Sequence, residues 1–361
     1  MPDRRISPTV VWSAILAGAV VASTVVAVLV DPITLRSNSR IMVLALAVLG
    51  IVVATGQTGL VSLGHGAFVG TGAFATAVFV DDVGVPVLLA IPLAAGVAAL
   101  FGGLVGIPAL RLRGIQLALV TLGVAVVFPV VARQYPAWTG GVTGRPVQAS
   151  LEPPGWMPAP FDESGSFRFL VCVLVCLAGF WLAYNLVHSS VGRAMRAVRD
   201  DDIAAAAYGV NRTTTKVGAF AFSAALAGVA GSLQVMLFPF VSHDQFDVFL
   251  SLRIYAAAIV GGVAYIVGAV LGVAALVIVP AINDALGLLE SETAVFGLAL
   301  IVLTFVAPGG LVELFLRGWE RWRRMRQEPH VPDGDSADEA GPGEAPVLRP
   351  TAAARRLRGQ R

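Results

Sequence analysis

Between Arg40 and Asp81 the chain carries no Asp, Glu, Lys or Arg. A helix on a soluble core keeps one polar face, and a stretch this long without charge has none. It fits lipid instead, where a span needs about 20 mostly apolar residues. Similar runs recur along the sequence, which is 57% apolar and 13% charged. A soluble domain holds about 25% charged residues. The fold class expected is all-α, a polytopic membrane protein.

Ten runs qualify as spans: 10–30, 41–56, 59–80, 86–108, 115–133, 169–187, 217–238, 250–264, 267–283 and 293–308. The second and eighth are short, so tilted, broken or re-entrant segments are expected there. The run that follows Arg4 and Arg5 is longer than a signal-peptide core and reads as a retained first span. Residues 1–325 then form the transmembrane domain. Residues 326–361, rich in Pro, Asp, Gly, Ala and Glu, have the composition of a disordered cytoplasmic tail.

Basic residues set the orientation, because they stay on the cytoplasmic side. With the N-terminus inside, ten crossings put Arg111 and Arg113 inside. They also put inside the 188–216 loop with Arg193, Arg196, Arg199, Arg212 and Lys216, and the C-terminal group from Arg317 to Arg326. Arg36 and Arg40 fall outside as a weak exception. Nine spans would strand one of the basic termini. A multi-pass cell-membrane protein with both termini in the cytoplasm is expected.

Several function classes lose support. With Arg133 and Arg253 at span ends, no span interior carries Asp, Glu, Lys or Arg, whereas ion-coupled pumps use such buried ionisable groups. No carboxylate pair or ligand cluster suggests a membrane hydrolase. Cys172 and Cys176 share a helical face, but a metal site needs more ligands, so they read as small core residues. No cofactor and no metal are expected. Lys216 lies between Thr215 and Val217 and cannot belong to G-x-x-x-x-G-K-[ST]. ATP, if used, binds another subunit, and the chain itself is not an enzyme.

Two stretches carry candidate sites. In GLVSLGHGAFVGTGAF, residues 59–74, glycines clear one side of a span. Small residues let backbones approach closely, and irregular backbone in a membrane borders a cavity or is buried in protein. The residues allow two readings. Either the segment simply packs, with His65 bonded to a neighbour, or Ser62, Gly64, His65 and Gly66 line a translocation path. In the second stretch, Asp200–Asp202 precede IAAAAY, with Gly209 beyond. Acids favour a helix start and glycine the position past its end, so a capped helix of about two turns is expected. Arg193, Arg196 and Arg199 precede it at helical spacing. The loop is either a solvated positive-inside loop or a docking element for a cytoplasmic subunit.

The second stretch, VGRAMRAVRDDDIAAAAYGVNRTTTKVGAFAFSAALAGVAGSL at 191–233, resembles permease subunits of branched-chain amino acid ABC importers. So do GLVSLGHGAFVGTGAF, LRLRGIQLALVTLG at 110–123, WTGGVTG at 138–144 and GGVAYIVGAVLG at 261–272. The resemblance implies a ten-span fold of the cobalamin-importer permease type. It implies ATP-driven import of branched-chain amino acids, with a second homologous permease, two ATP-binding subunits and an extracytoplasmic binding protein as partners. Gly192, Arg193, Arg196, Arg199, Asp202, Ala205 and Gly209 then belong to the ATPase-coupling loop. Asp202 stands where Glu is usual, Gln116 where an aromatic is common, Ala264 for a common glycine and Gly309 for a frequent arginine. These departures leave urea, short amides or other amino acids as alternative solutes. A stand-alone channel is the remaining alternative, and it has no use for a capped docking helix.

Overall fold

The computed structural model describes residues 32–109, 114–148, 151–156, 164–286, 297, 301 and 309–327. Helix α1 is Pro32–Ile51 and runs on through a π-helical segment, Val52–Gln57. Helix α2 is His65–Ala77, extended by a second π-helical segment, Val78–Asp82. Then come α3 (Val87–Ala109), α4 (Ile115–Gln134), the short α5 (Pro136–Thr139) and α6 (Ser164–His188). Two small helices follow, α7 (Ser190–Asp200) and α8 (Asp202–Ala207). Next are α9 (Arg212–Leu237), α10 (Val248–Gly261), α11 (Gly268–Leu286) and α12 (Gly310–Gln327).

Among the described residues, five helices are long and apolar enough to cross a membrane: Ser39–Gln57, Val87–Ile107, Ile115–Gln134, Gly165–His188 and Arg212–Leu237. Each overlaps an expected span. The expected 250–264 and 267–283 segments appear as α10 and α11. The expected 10–30 span lies outside the described residues, and so does most of 293–308 and the tail from 328. The 59–80 segment differs from expectation: it is helical only from His65 onward.

Helix α9 is the centre of the bundle. Its span is 72% buried, against 22% for α4. It packs on α3, α2 and α1. The contact is made by small residues on α9, while Phe68 and Phe220 fill the remaining space. Their rings meet edge to face at 6.2 Å, and Phe101 adds a third ring 5.8 Å from Phe68. Lipid tails are as apolar as leucine, so close packing rather than exclusion of water holds such helices together.

The two ends of the bundle carry different polar groups. At one end Arg40 lies over the Phe238 ring, 5.9 Å from its centroid. Nearby, Arg145–Pro146 (β1) pairs antiparallel with Phe240–Val241 (β2), Arg145 opposite Val241. Arg145 donates to both oxygens of Asp82 at 2.8 and 3.1 Å, to Asp81 at 3.1 Å and to the Trp138 carbonyl at 3.1 Å. The backbone N–H of Gln148 donates to Asp81 at 2.9 Å. Hydrogen bonds from Arg145 hold the Asp82 carboxyl below the usual carboxylate range. A depressed acid stabilises the fold above its ordinary pKa, and that contribution is lost as pH falls through the lowered value. Acidification below the ordinary carboxylate range should therefore release the 145–148 ribbon before the bundle opens. Hydrogen exchange at the Val147 amide, which donates to the Pro239 carbonyl at 3.0 Å, checks this. Uniform protection of the ribbon and α9 down to the point of global unfolding would refute it.

The chain divides into a unit ending at Arg317 and a second beginning at Gly318. The described part of the second unit is the latter half of α12. In the first unit Arg317 pairs with Glu313, one helical turn back.

Candidate functional site

Residues 58–64 interrupt the helical path between α1 and α2. Gly59 has φ of +70°, a conformation that costs glycine nothing and other residues steric strain. Backbone polar groups inside a membrane must find partners, and hydroxyls supply several. Thr58 Oγ1 donates to the Ala54 carbonyl at 2.5 Å, and Thr55 Oγ1 to the Leu60 carbonyl at 2.9 Å. The Leu63 N–H donates to Thr121 Oγ1 of α4 at 2.9 Å. The first N–H groups of α2 have no helical acceptor; that of Gly66 donates to Ser251 Oγ of α10 at 2.9 Å. Gly66 is required there, because a Cβ would stand 2.6 Å from that oxygen.

His65 opens α2 and is fully buried, as is Ser62. Its Nδ1 lies 3.1 Å from Ser62 Oγ and its Nε2 lies 2.6 Å from Ser223 Oγ on α9. Ser223 in turn donates to the Gly50 carbonyl of α1 at 2.7 Å. A serine hydroxyl has one proton, so Ser223 accepts from His65 and the ring carries its proton on Nε2. In a neutral ring Nδ1 then accepts from Ser62, and the chain runs Ser62 to His65 to Ser223 to Gly50. The chain ties the interruption to α9 and α1. Phe68 covers the ring edge-on at 5.4 Å. Ser62, Gly64, His65 and Gly66 are all brought together and all buried within this chain.

The second candidate stretch forms two helices, not one. Ser189 caps α7, accepting from the N–H groups of Val191 and Gly192 at 3.2 and 3.4 Å. Gly192, Met195 and Val198 bury one face of it, three residues apart. Asp201 breaks the path and caps α8, accepting from Ile203 and Ala204 at 2.7 and 3.0 Å. The middle acid is the cap; Asp202 instead pairs with Lys216 of α9 at 2.5 Å. Gly209 closes α8 at φ +83°, as expected of a glycine past a helix end. Ala205 is the buried face of α8. Ile203 and Tyr208 point outward, 69% and 89% exposed.

The three arginines do not act alike. Arg193 is exposed. Arg196 donates to the Gln57 side-chain oxygen at 3.2 Å and to the Val187 carbonyl at 2.9 Å. Arg199 donates to the Gly56 carbonyl at 2.5 Å. The two candidate stretches are therefore joined at the end of the first π-helical segment. Sequence reading missed this junction. It also missed Gly56, Thr121, Ser223 and Ser251, whose partners are far away in the chain. Cys172 and Cys176 are buried free thiols, and Cys176 donates to the Met42 carbonyl at 3.4 Å.

The family model for the branched-chain amino acid transport system permease component matches residues 33–304. The chain is 34% identical over 233 residues to the high-affinity branched-chain amino acid transport permease LivM of Salmonella typhimurium, covering 59% of this chain and 55% of that protein. It is 33% identical to LivM of Escherichia coli with the same coverage. It is 28% identical over 147 residues to LivH of Escherichia coli, covering 41% of this chain and 47% of LivH. The chain thus spans about half the length of the curated relatives it matches. No solved structure matches. The match over residues 33–304 covers most of the chain, which belongs to the branched-chain amino acid transport permease family.

Proposed function

We propose that the chain is the membrane-spanning subunit of an ABC importer that moves branched-chain amino acids into the cell. ATP hydrolysis on separate cytoplasmic subunits drives it. The observation that carries the reading is the α7–α8 pair at one end of the bundle. Each helix has its own side-chain cap and buries one face on the chain. Together they leave Arg193, Ile203 and Tyr208 outward. Exposed apolar side chains beside a basic one on a short, rigid element suit a protein partner.

In this reading the partners are two ATP-binding subunits, a second homologous permease and an extracytoplasmic binding protein. The protein crosses the inner membrane with both termini in the cytoplasm, in the span order of cobalamin-importer permeases. Gly192, Asp202, Ala205 and Gly209 shape the docking element, and Arg193 faces the ATPase. The interruption at 58–64 borders the translocation path. Ser62, Gly64, His65 and Gly66 set its shape, so the solute meets mostly neutral groups. A zwitterion bound that way is not held too tightly for release.

Uptake of labelled leucine, with and without the gene for this chain, tests the reading. Loss of uptake, with competition by valine and isoleucine in the parent cells, is expected. Leucine uptake that is unchanged in cells with no second leucine importer would sink the assignment. Competition by urea alone would move it to amides.

A further inference from the structure

We infer that Arg196 and Arg199 transmit movement of the docking element to the interrupted segment, as positioning residues that couple ATP hydrolysis to transport. The inference rests on the docking role proposed for α7 and α8.

The argument starts from the partners of the two guanidinium groups. Arg199 binds the Gly56 carbonyl, and Arg196 binds the Gln57 amide oxygen and the Val187 carbonyl. These acceptors are neutral. They lie at the end of a helical segment, where carbonyls lack helical donors and the dipole favours a cation. An arginine that only marked the cytoplasmic side would point to water or lipid headgroups. Arg196 is half-buried, and Arg199, though as exposed as Arg193 on the same helix, turns its guanidinium back onto the Gly56 carbonyl. One short helix thus presents an outer face and holds two inner tethers.

The tethered segment has no slack on its far side. A Cβ on Gly56 would stand 2.0 Å from the Val263 carbonyl oxygen, in the turn between α10 and α11. A Cβ on Gly59 would stand 3.4 Å from Arg199 Cγ. Residues 56–59 are therefore held between the arginines of α7 and the 262–267 turn. Close-packed atoms transmit displacement rather than absorb it. The segment itself is a π-helical turn that leads into irregular backbone, a conformation frequent at functional sites. Moving α7 must move Gly56, and through Gly56 both the 58–64 interruption and the α10–α11 turn.

The test uses the importer assembled from this chain and its partner subunits in proteoliposomes. Three quantities are read: ATPase retained on the complex, ATP hydrolysed, and leucine imported per ATP. Arg196→Met with Arg199→Met keeps the side-chain stems and removes the donors. The expected result is a complex that retains its ATPase and hydrolyses ATP, while leucine imported per ATP falls about tenfold. Should the double variant not accumulate, Arg199→Gln alone is read for the same ratio. Arg199→Lys should recover part of it. An unchanged ratio overturns the inference, and so does loss of the ATPase from the complex. Ile203→Asp with Tyr208→Asp is the separate control for docking. Retention of the ATPase by that variant would defeat the docking reading itself. Loss of the ATPase there, with full coupling in the arginine variants, would defeat only the transmission role.

Discussion

His65→Ala is expected to remove most of the folded chain from the membrane, while His65→Gln preserves a substantial part of it. The imidazole is fully buried and sits in the middle of a directed hydrogen-bond chain. Alanine leaves a cavity beside Phe68 and deprives the Ser62 hydroxyl of its acceptor and Ser223 of its donor. Cavity formation and unsatisfied buried groups together cost about 3–5 kcal/mol. That is a large share of a typical stability of about 5–15 kcal/mol. Glutamine offers one acceptor and one donor at a similar reach and can rebuild the chain at reduced geometry. The measurement is accumulation in the membrane together with the thermal midpoint of the purified chain in detergent. A His65→Ala chain that accumulates and melts like the parent, yet imports nothing, would contradict the prediction. His65 would then act on the solute directly.

The sequence made some of this visible and hid the rest for a physical reason. Long apolar helices announce themselves, because hydropathy is a local property. That is why Ser39–Gln57 and Arg212–Leu237 fall where expected. An acidic cap on α8 was legible for the same reason, since an Asp and the amides it accepts are adjacent in the chain; the Ser189 cap of α7 was not read. Asp202 illustrates the limit: from its neighbours it looks like a cap, yet its partner Lys216 sits on another helix. The glycines at 59–66 signalled an irregular backbone. Its partners, Thr121 and Ser251, could not be found from those residues. Arg196 and Arg199 were noticed for their charge and spacing. Their acceptors are a side-chain amide and backbone carbonyls more than a hundred residues away or across a helix end, and a backbone carbonyl has no sequence signature.

Gly231→Val should be the more damaging of the two changes, because the clash is with backbone. A Cβ at Gly231 would stand 2.0 Å from the Val69 carbonyl oxygen and 2.8 Å from the Ala73 nitrogen on α2. The same seam continues one turn away, where a Cβ at Gly72 would stand 2.2 Å from the Gly228 carbonyl oxygen. On the other side of α9, a Cβ at Gly228 would stand 2.4 Å from the Ala98 Cβ on α3. Three helices therefore approach one another over positions that hold no side chain. Helix propensity alone favours alanine over glycine by about 1 kcal/mol, so at an open position the substitution stabilises. Gly218, on the same helix, has nothing within 4 Å of its Cβ position and provides that comparison. At Gly231 the steric term wins. Overpacking costs about 1–3 kcal/mol even where side chains can yield, and here α2 must move as a whole. That movement also breaks the hydrogen bond from Thr76 Oγ1 to Ser232 Oγ, now 2.7 Å. Gly218→Ala should melt at or above the parent temperature, Gly231→Ala well below it, and Gly231→Val should yield no folded chain. A Gly231→Ala chain that melts together with Gly218→Ala would mean that the seam between α2 and α9 is looser than drawn, and that small residues are not what holds the interrupted segment in place.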